Sequence, residues 1–223
     1  MSMSRERFDV VVIGAGAGGG VAASRLSEEP GRTVLLLEAG PDFPQEATAP
    51  PAFYTGGTSF GEGFAGIGAP LPELDWGIES EAFPSGRRAV LRRGRLVGGS
   101  TMINGCIAVR GRPLDFERWA AGGATGWSWA EMVPWYERVE AVVPIKRYPE
   151  EQWTPFQRAF VEGWEQAGYR RVEDMNDPAA WDGFTGAWPQ NRRNEVRQGT
   201  IVTYIRAARP RTARPTGSGP LAM

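Results

Sequence analysis

Gly14-Ala15-Gly16-Ala17-Gly18-Gly19 carries the spacing Gly-x-Gly-x-x-Gly through Gly14, Gly16 and Gly19. The chemistry open to such a run is anion binding by backbone N–H groups. Gly14 permits a tight turn, Gly16 lets the backbone approach a pyrophosphate with no Cβ in the way, and Gly19 lets a helix pack closely on a sheet. Ala17 and Gly18 belong to the same cofactor-binding run, where free N–H groups and the helix dipole hold the anion. Glu38 follows 19 residues after Gly19. At the tip of a second strand it would accept hydrogen bonds from adenosine ribose hydroxyls, with Ala39 beside it in the site. No Gly-Lys-Ser/Thr follows the glycines, which excludes a Walker-type triphosphate loop. A dinucleotide is the reading. The motif alone leaves FAD and NAD open.

A second glycine run spans Gly94-Arg95-Leu96-Val97-Gly98-Gly99-Ser100-Thr101-Met102-Ile103-Asn104-Gly105. Adjacent glycines with two hydroxyls and an Asn can bring backbone beside a flat ring or a second phosphate contact.

These loops need elements to hold them. Phe8 to Ile13 reads as a short buried strand, ended by the glycines, and Val21, Ala22 and Leu26 mark a helix closed by Pro30-Gly31. Thr33 to Leu37 reads as a second buried strand. Strand, glycine turn, helix and strand predict a right-handed βαβ unit with a parallel sheet. Residues 41–72 read as a Gly-, Pro- and Phe-rich loop region, and Ala89 to Leu91 as a short strand. Helices are predicted over 114–121, over 129–142 with a Ser128/Glu131 capping box, and over 155–167 with a stop at Gly168. Eight of the nine tryptophans lie between Trp119 and Trp188 and read as core and inter-layer packing. Residues 209–223 lack an apolar period and read as disordered.

Composition removes several function classes. Lys+Arg 25 against Asp+Glu 26 gives a net charge of -1, which offers no general attraction to nucleic acid or anionic membrane. One cysteine, Cys106, rules out an internal disulfide and fits a reducing compartment. With no histidine, the chain has no imidazole base, no histidine triad and no histidine-ligated metal, and no metal site is expected. Arg5, Arg7 and the apolar Val10–Ile13 imitate a signal peptide, but Asp9 and five interrupting glycines argue against export. No stretch approaches the 18 or more apolar residues of a membrane span. A cytoplasmic protein is the reading.

Three segments carry a resemblance: FDVVVIGAGAGGGVAASRLSEEPGRTVLLLEAG, GRLVGGSTMINGCIAVRG and DFERWAAGGATGWSWAEMVPWYERVE. The sequence resembles the glucose–methanol–choline (GMC) oxidoreductases, FAD-dependent enzymes acting on alcohols, with weaker likeness continuing to Pro210. The resemblance implies an α/β fold: an incomplete Rossmann-like FAD-binding domain over 1–144, the start of a helical, Trp-rich substrate-binding region over 145–208, and a tail over 209–223. It implies that Gly14, Gly16 and Gly19 hold the FAD pyrophosphate and Glu38 the ribose. Arg95, Val97, Gly99 and Thr101 would line the cofactor, while Asn104, Gly105, Cys106 and Ile107 would border the flavin ring. Some relatives carry a histidine at the position of Ile103 and tether the flavin through it, so FAD here is expected to be non-covalent. Cys106 reads as a small buried residue rather than a reactive thiol.

The resemblance also sets limits. Family members are longer, and the histidine that takes the hydroxyl proton while hydride moves from the alcohol to flavin N5 lies in a part with no match here. The run after Pro210 looks like a frameshifted or artificial tail. No catalytic residue is therefore assigned, and the chain alone is expected to be inactive. A small-molecule alcohol is the substrate expected of the complete enzyme. The alternatives are a non-catalytic or partner-completed flavin-binding module, with a C-terminal half supplied elsewhere, and an NAD-dependent dehydrogenase.

Overall fold

The computed structural model describes residues 6–44, 72–178, 183–209 and 221–222. The chain is α/β and divides into two compact units, one of residues 1–105 with 195–223 and the other of residues 106–194. The boundary expected at 144/145 falls inside the second unit.

The first unit starts from strand β1 (Val10–Ile13), helix α1 (Ala17–Leu26) and strand β2 (Val34–Leu37). β1 and β2 are parallel, in register from Val10↔Val34 to Ile13↔Leu37. Asp9 sets that register: its carboxylate accepts from the Thr33 N–H and the Thr33 hydroxyl, both at 2.7 Å. Those bonds, the backbone N–H first, hold the Asp9 carboxyl below its ordinary value. At the other end the Gly14 N–H donates to the Leu37 carbonyl at 2.7 Å.

Small residues bring α1 close to its neighbours. Gly20, Ala23 and Ser24 are its buried positions, and a Cβ on Gly20 would stand 2.5 Å from Thr200 Cγ2. A π-helical turn, Ile201–Ile205, lies against α1, and the Ser24 hydroxyl donates to the Tyr204 carbonyl. The core between them joins Ala23, Val34, Leu36, Leu96, Ile201 and Ile205. Each of these valine, leucine and isoleucine side chains removed from water contributes about 1.5–3 kcal/mol before entropy is counted.

Two expectations change here. β1 is buried on one face only, with Val11 and Ile13 at 52% and 84% exposure, because side chains alternate along a strand and α1 and the core take only one side. In the tail read as disordered, Leu221–Ala222 pair antiparallel with Leu36 and Leu35 as a third strand. Backbone pairing needs no apolar period, so composition did not reveal it. Residues 210–220, and the loop reading over 45–71, lie outside the described residues.

The first unit also holds a two-stranded ribbon, β3 (Ile78–Glu79) with β4 (Val90–Leu91). It leads through an Asp75↔Gly94 bridge into the second glycine run.

The second unit carries helices α2 (Pro113–Ala121), α3 (Trp129–Glu140) and α4 (Pro155–Gln166), with a parallel pair β5 (Arg170–Arg171) and β6 (Phe184–Thr185). Both longer helices start with capping boxes, Ser128/Glu131 and Thr154/Gln157. The Glu131 carboxyl lies below its ordinary value because the Ser128 hydroxyl and N–H donate to it. Burial pushes the Asp174 carboxyl up, but Arg147, the Asn176 N–H and Arg110 outweigh it and leave it lowered. Arg110 joins the end of α3 by an ion pair to Glu140 at 2.8 Å and lies over the Tyr136 ring.

Among the described residues the tryptophans are not the core that the sequence suggested. Phe116 is buried between Trp119, Trp129 and Tyr136. Trp119, Trp127, Trp135, Trp164 and Trp188 are each at least 40% exposed. Indole rings are too large for these short segments to cover: Trp119 and Trp127 meet edge-on, Trp164 meets Tyr169 edge-on, and the Arg138 guanidinium lies over Trp135.

Among the described residues no helix is long and apolar enough to cross a membrane.

Candidate functional site

The first glycine run lies between the end of β1 and the start of α1. Gly14 turns the chain at φ +91°, and Gly16 is the N-cap of α1 with no side chain hydrogen-bonded there. The opening N–H groups of a helix have no intrahelical partner, so an anion is the group this terminus accepts. A Cβ on Gly14 or Gly18 would meet nothing within 4 Å, whereas a Cβ on Gly19 would stand 1.8 Å from the Gly14 carbonyl oxygen. The third glycine of the motif is required by packing, and the space beside the loop is open.

The second run meets the first directly. The Gly98 N–H donates to the Ala15 carbonyl at 2.8 Å. Gly99, at φ +51°, approaches so closely that a Cβ would stand 2.8 Å from the Cα of Gly16. A tight 3-10 turn, Gly99–Met102, follows. Two motifs far apart in sequence thus form one cradle of bare backbone, in which Val97 is buried beneath the surface. Such a surface suits a ligand with a pyrophosphate, because it offers N–H groups and close approach without side chains in the way.

The end of β2 closes a third side. Glu38 accepts from the Ala15 N–H at 2.8 Å through one oxygen and from the Gly40 N–H at 3.0 Å through the other. An ionised carboxylate has about four acceptor positions, so these two bonds fix its orientation and leave capacity for hydroxyl donors. Ala39 is exposed beside it. A Cβ on Gly40 would strike the Arg95 carbonyl oxygen at 1.9 Å, and the Val97 N–H donates to the Pro41 carbonyl. The Arg95 guanidinium itself donates to the Glu73 carbonyl at 2.7 Å, so Arg95 anchors the loop from outside.

A fourth segment, which carries no motif of its own, completes the site. Residues 197–200 return against the second run and take up its polar groups. The Thr101 hydroxyl donates to the Gly98 carbonyl at 2.5 Å and accepts from the Thr200 N–H at 3.0 Å. It holds the loop's shape from within. Arg197 is 1% exposed and donates to the Thr101 carbonyl at 3.3 Å and to Asn104 Oδ1 at 2.5 Å. Ile103 packs against the core of the first unit. The local pattern RQGT gave no signal for these roles; only the fold brings it to the glycines.

Gly105 ends the first unit. Cys106 and Ile107 open the second, where Cys106 is fully buried at φ +60° and its carbonyl accepts from the Asn191 N–H at 2.9 Å. Ile107 bridges to Gln190.

The GMC oxidoreductase family model matches residues 8–215. The chain belongs to the GMC oxidoreductase family. The oxygen-dependent choline dehydrogenase of Rhizobium etli is 34% identical over 190 residues, which cover 75% of this chain and 31% of that protein. That of Brucella ovis is 33% identical over 214 residues, covering 90% and 36%. Among solved structures, pyridoxine 4-oxidase from Mesorbium loti aligns at TM-score 0.74 and 27% identity, over 92% of this chain and 41% of that one. An FAD-dependent oxidoreductase from Chaetomium thermophilum, at 22% identity and TM-score 0.75, shares the fold. The GMC chain spans about a third of the length of the curated relatives it matches. FAD is the cofactor of the family, and the bare-backbone cradle at Ala15–Gly16 and Gly98–Gly99 is compatible with its pyrophosphate.

Proposed function

We propose that the first unit is a Rossmann-like, non-covalent FAD site, the cofactor-holding part of an oxidoreductase that acts on the CH–OH group of an alcohol. The observation that carries this reading is the contact of the two glycine runs, with Gly99 on Gly16 and Gly98 hydrogen-bonded to Ala15. Bound FAD would supply a hydride acceptor. The chain's own residues bind and orient it. Gly14, whose N–H is held by the Leu37 carbonyl, makes the turn, and Gly16, Ala17, Gly18 and Gly19 present backbone N–H groups to the pyrophosphate. Glu38, already oriented by Ala15 and Gly40, accepts from the ribose hydroxyls. Val97, Gly99 and Asn104 border the remainder, with Thr101 shaping the loop and Arg95 anchoring it. Ile103 offers no atom for a covalent tether to the flavin.

No histidine is present among the 223 residues, so they supply no imidazole to take the alcohol proton. General-base assistance is worth roughly 10²–10⁴-fold. The chain alone is therefore expected to bind flavin without turning over alcohol. Names of relatives suggest a small alcohol such as choline or pyridoxine as the substrate class of the complete enzyme. The test is competition: FAD titrated into the purified chain should quench its flavin fluorescence, and ADP should compete, since both share the adenosine diphosphate half. Binding of FAD that ADP leaves untouched would contradict the pyrophosphate assignment.

A further inference from the structure

We infer that Arg197 is the positioning residue of the cofactor site and that it acts through Asn104. The inference rests on the FAD reading above. A guanidinium stays charged at any accessible pH and is costly to bury unless its donors find acceptors. Among the described residues Arg197 is nonetheless the largest side chain that is fully buried. Two of the acceptors that hold it, the Thr101 carbonyl and Asn104 Oδ1, belong to the second glycine run. Asn104 itself lies at the surface of that run.

The chemistry of the amide gives the bond its consequence. Arginine has only donors, so it accepts the carbonyl end of Asn104 and rejects the flipped amide. With Oδ1 held on Arg197, the Nδ2 donors are directed away from the guanidinium. One orientation of Asn104 is thereby selected, in which the side away from Arg197 carries N–H groups rather than the amide oxygen. The flavin ring edge carries carbonyl and imine acceptors that such donors match. The neighbouring bonds, Thr200 N–H to Thr101 and Thr101 to the Gly98 carbonyl, shape the run before Asn104, and the Asn104 N–H donates to the Ser100 carbonyl at 3.0 Å. Arg197 adds to that backbone, which it also holds at the Thr101 carbonyl, the choice of amide orientation.

The test is a double-mutant cycle on FAD affinity in the 223-residue chain, using Arg197→Met, Arg197→Lys, Asn104→Ala and the two combinations, with far-UV circular dichroism and thermal melting to confirm folding. Loss of a hydrogen bond to a charged group predicts about a tenfold or larger weakening of FAD binding in Arg197→Met. The Asn104→Ala background should make that same change cost less than about twofold, because the residue acted upon is gone. Partial rescue of affinity and of the bound flavin's absorption band shape is expected with Arg197→Lys. A purely structural role would lower the melting temperature and weaken FAD equally in both backgrounds, and that result overturns the inference. Should the Arg197 variants not fold, Asn104→Asp decides: it keeps an acceptor toward Arg197 and removes the Nδ2 donors, and wild-type FAD affinity in it would equally overturn the inference. Failure of the wild-type chain itself to bind FAD would instead strike the cofactor reading.

Discussion

Gly99 lies on Gly16 so closely that a Cβ on Gly99 would stand 2.8 Å from the Gly16 Cα. The two glycine runs of this GMC oxidoreductase are therefore one structure, and each limits what the other can carry. Gly99 also sits at φ +51°, a backbone region that costs an L side chain of order 1–3 kcal/mol. We predict that Gly99→Ala lowers unfolding stability by at least that amount in urea titration and abolishes FAD retention. A variant of unchanged stability would mean that the loops can separate.

Two adjacent glycines of α1 make a sharper comparison. A Cβ on Gly19 would stand 1.8 Å from the Gly14 carbonyl oxygen, and one on Gly18 would meet nothing within 4 Å. Gly19→Ala is expected to cost about 2 kcal/mol or more. Gly18→Ala should be neutral or stabilising by up to about 1 kcal/mol, since alanine favours a helix. Paired thermal melts of the two variants check the difference, and equal effects would refute the packing role of Gly19.

Glu38 offers a test of the cradle's third side. Replacing it by alanine leaves the Ala15 and Gly40 N–H groups without their acceptor. A stability loss of about 1–3 kcal/mol follows, together with weaker FAD binding. Glu38→Gln keeps one acceptor oxygen and should recover part of both, as urea titration and fluorescence titration will measure.

The βαβ segment and the two glycine runs were legible in the sequence because their signals are local: a β-branched run ended by glycine, a fixed glycine spacing, a capping box at Ser128. What was not legible depends on contacts between residues far apart in the chain. Arg197 binds Asn104 across 93 residues and Thr200 binds Thr101 across 99, and no periodicity encodes either pair. For the same reason Thr101, expected to line the cofactor, has a hydroxyl engaged with Gly98 and Thr200. Residue type also misled: tryptophans suggested a packed interior, yet five of them are substantially exposed because short helices give little to bury them against.

Acid should weaken the fold in a defined window. Asp9 and Glu131 both have carboxyls below their ordinary values, through donors on Thr33 and Ser128 respectively. A carboxyl lowered in the folded state contributes fully above its unfolded pKa, roughly 4, and loses that contribution as pH falls through the folded value. Stability measured by urea unfolding should therefore fall below about pH 4, and the Asp9→Asn, Glu131→Gln double variant should show a flatter acid limb. An unchanged limb would contradict both assignments.

The single thiol reports on the second unit. Cys106 is fully buried, so a thiol reagent should react with it only when the structure opens. Labelling should be slow in the native chain and complete within mixing time in denaturant, and rapid native labelling would show that Cys106 is accessible.

The most direct test of the central claim is the absorbance spectrum of the purified, desalted chain after FAD loading, followed by heat release. Non-covalent binding in the cradle predicts a flavin spectrum that stays with the protein through desalting and appears in the supernatant after heating. A folded protein that emerges colourless would contradict the claim that these residues hold FAD.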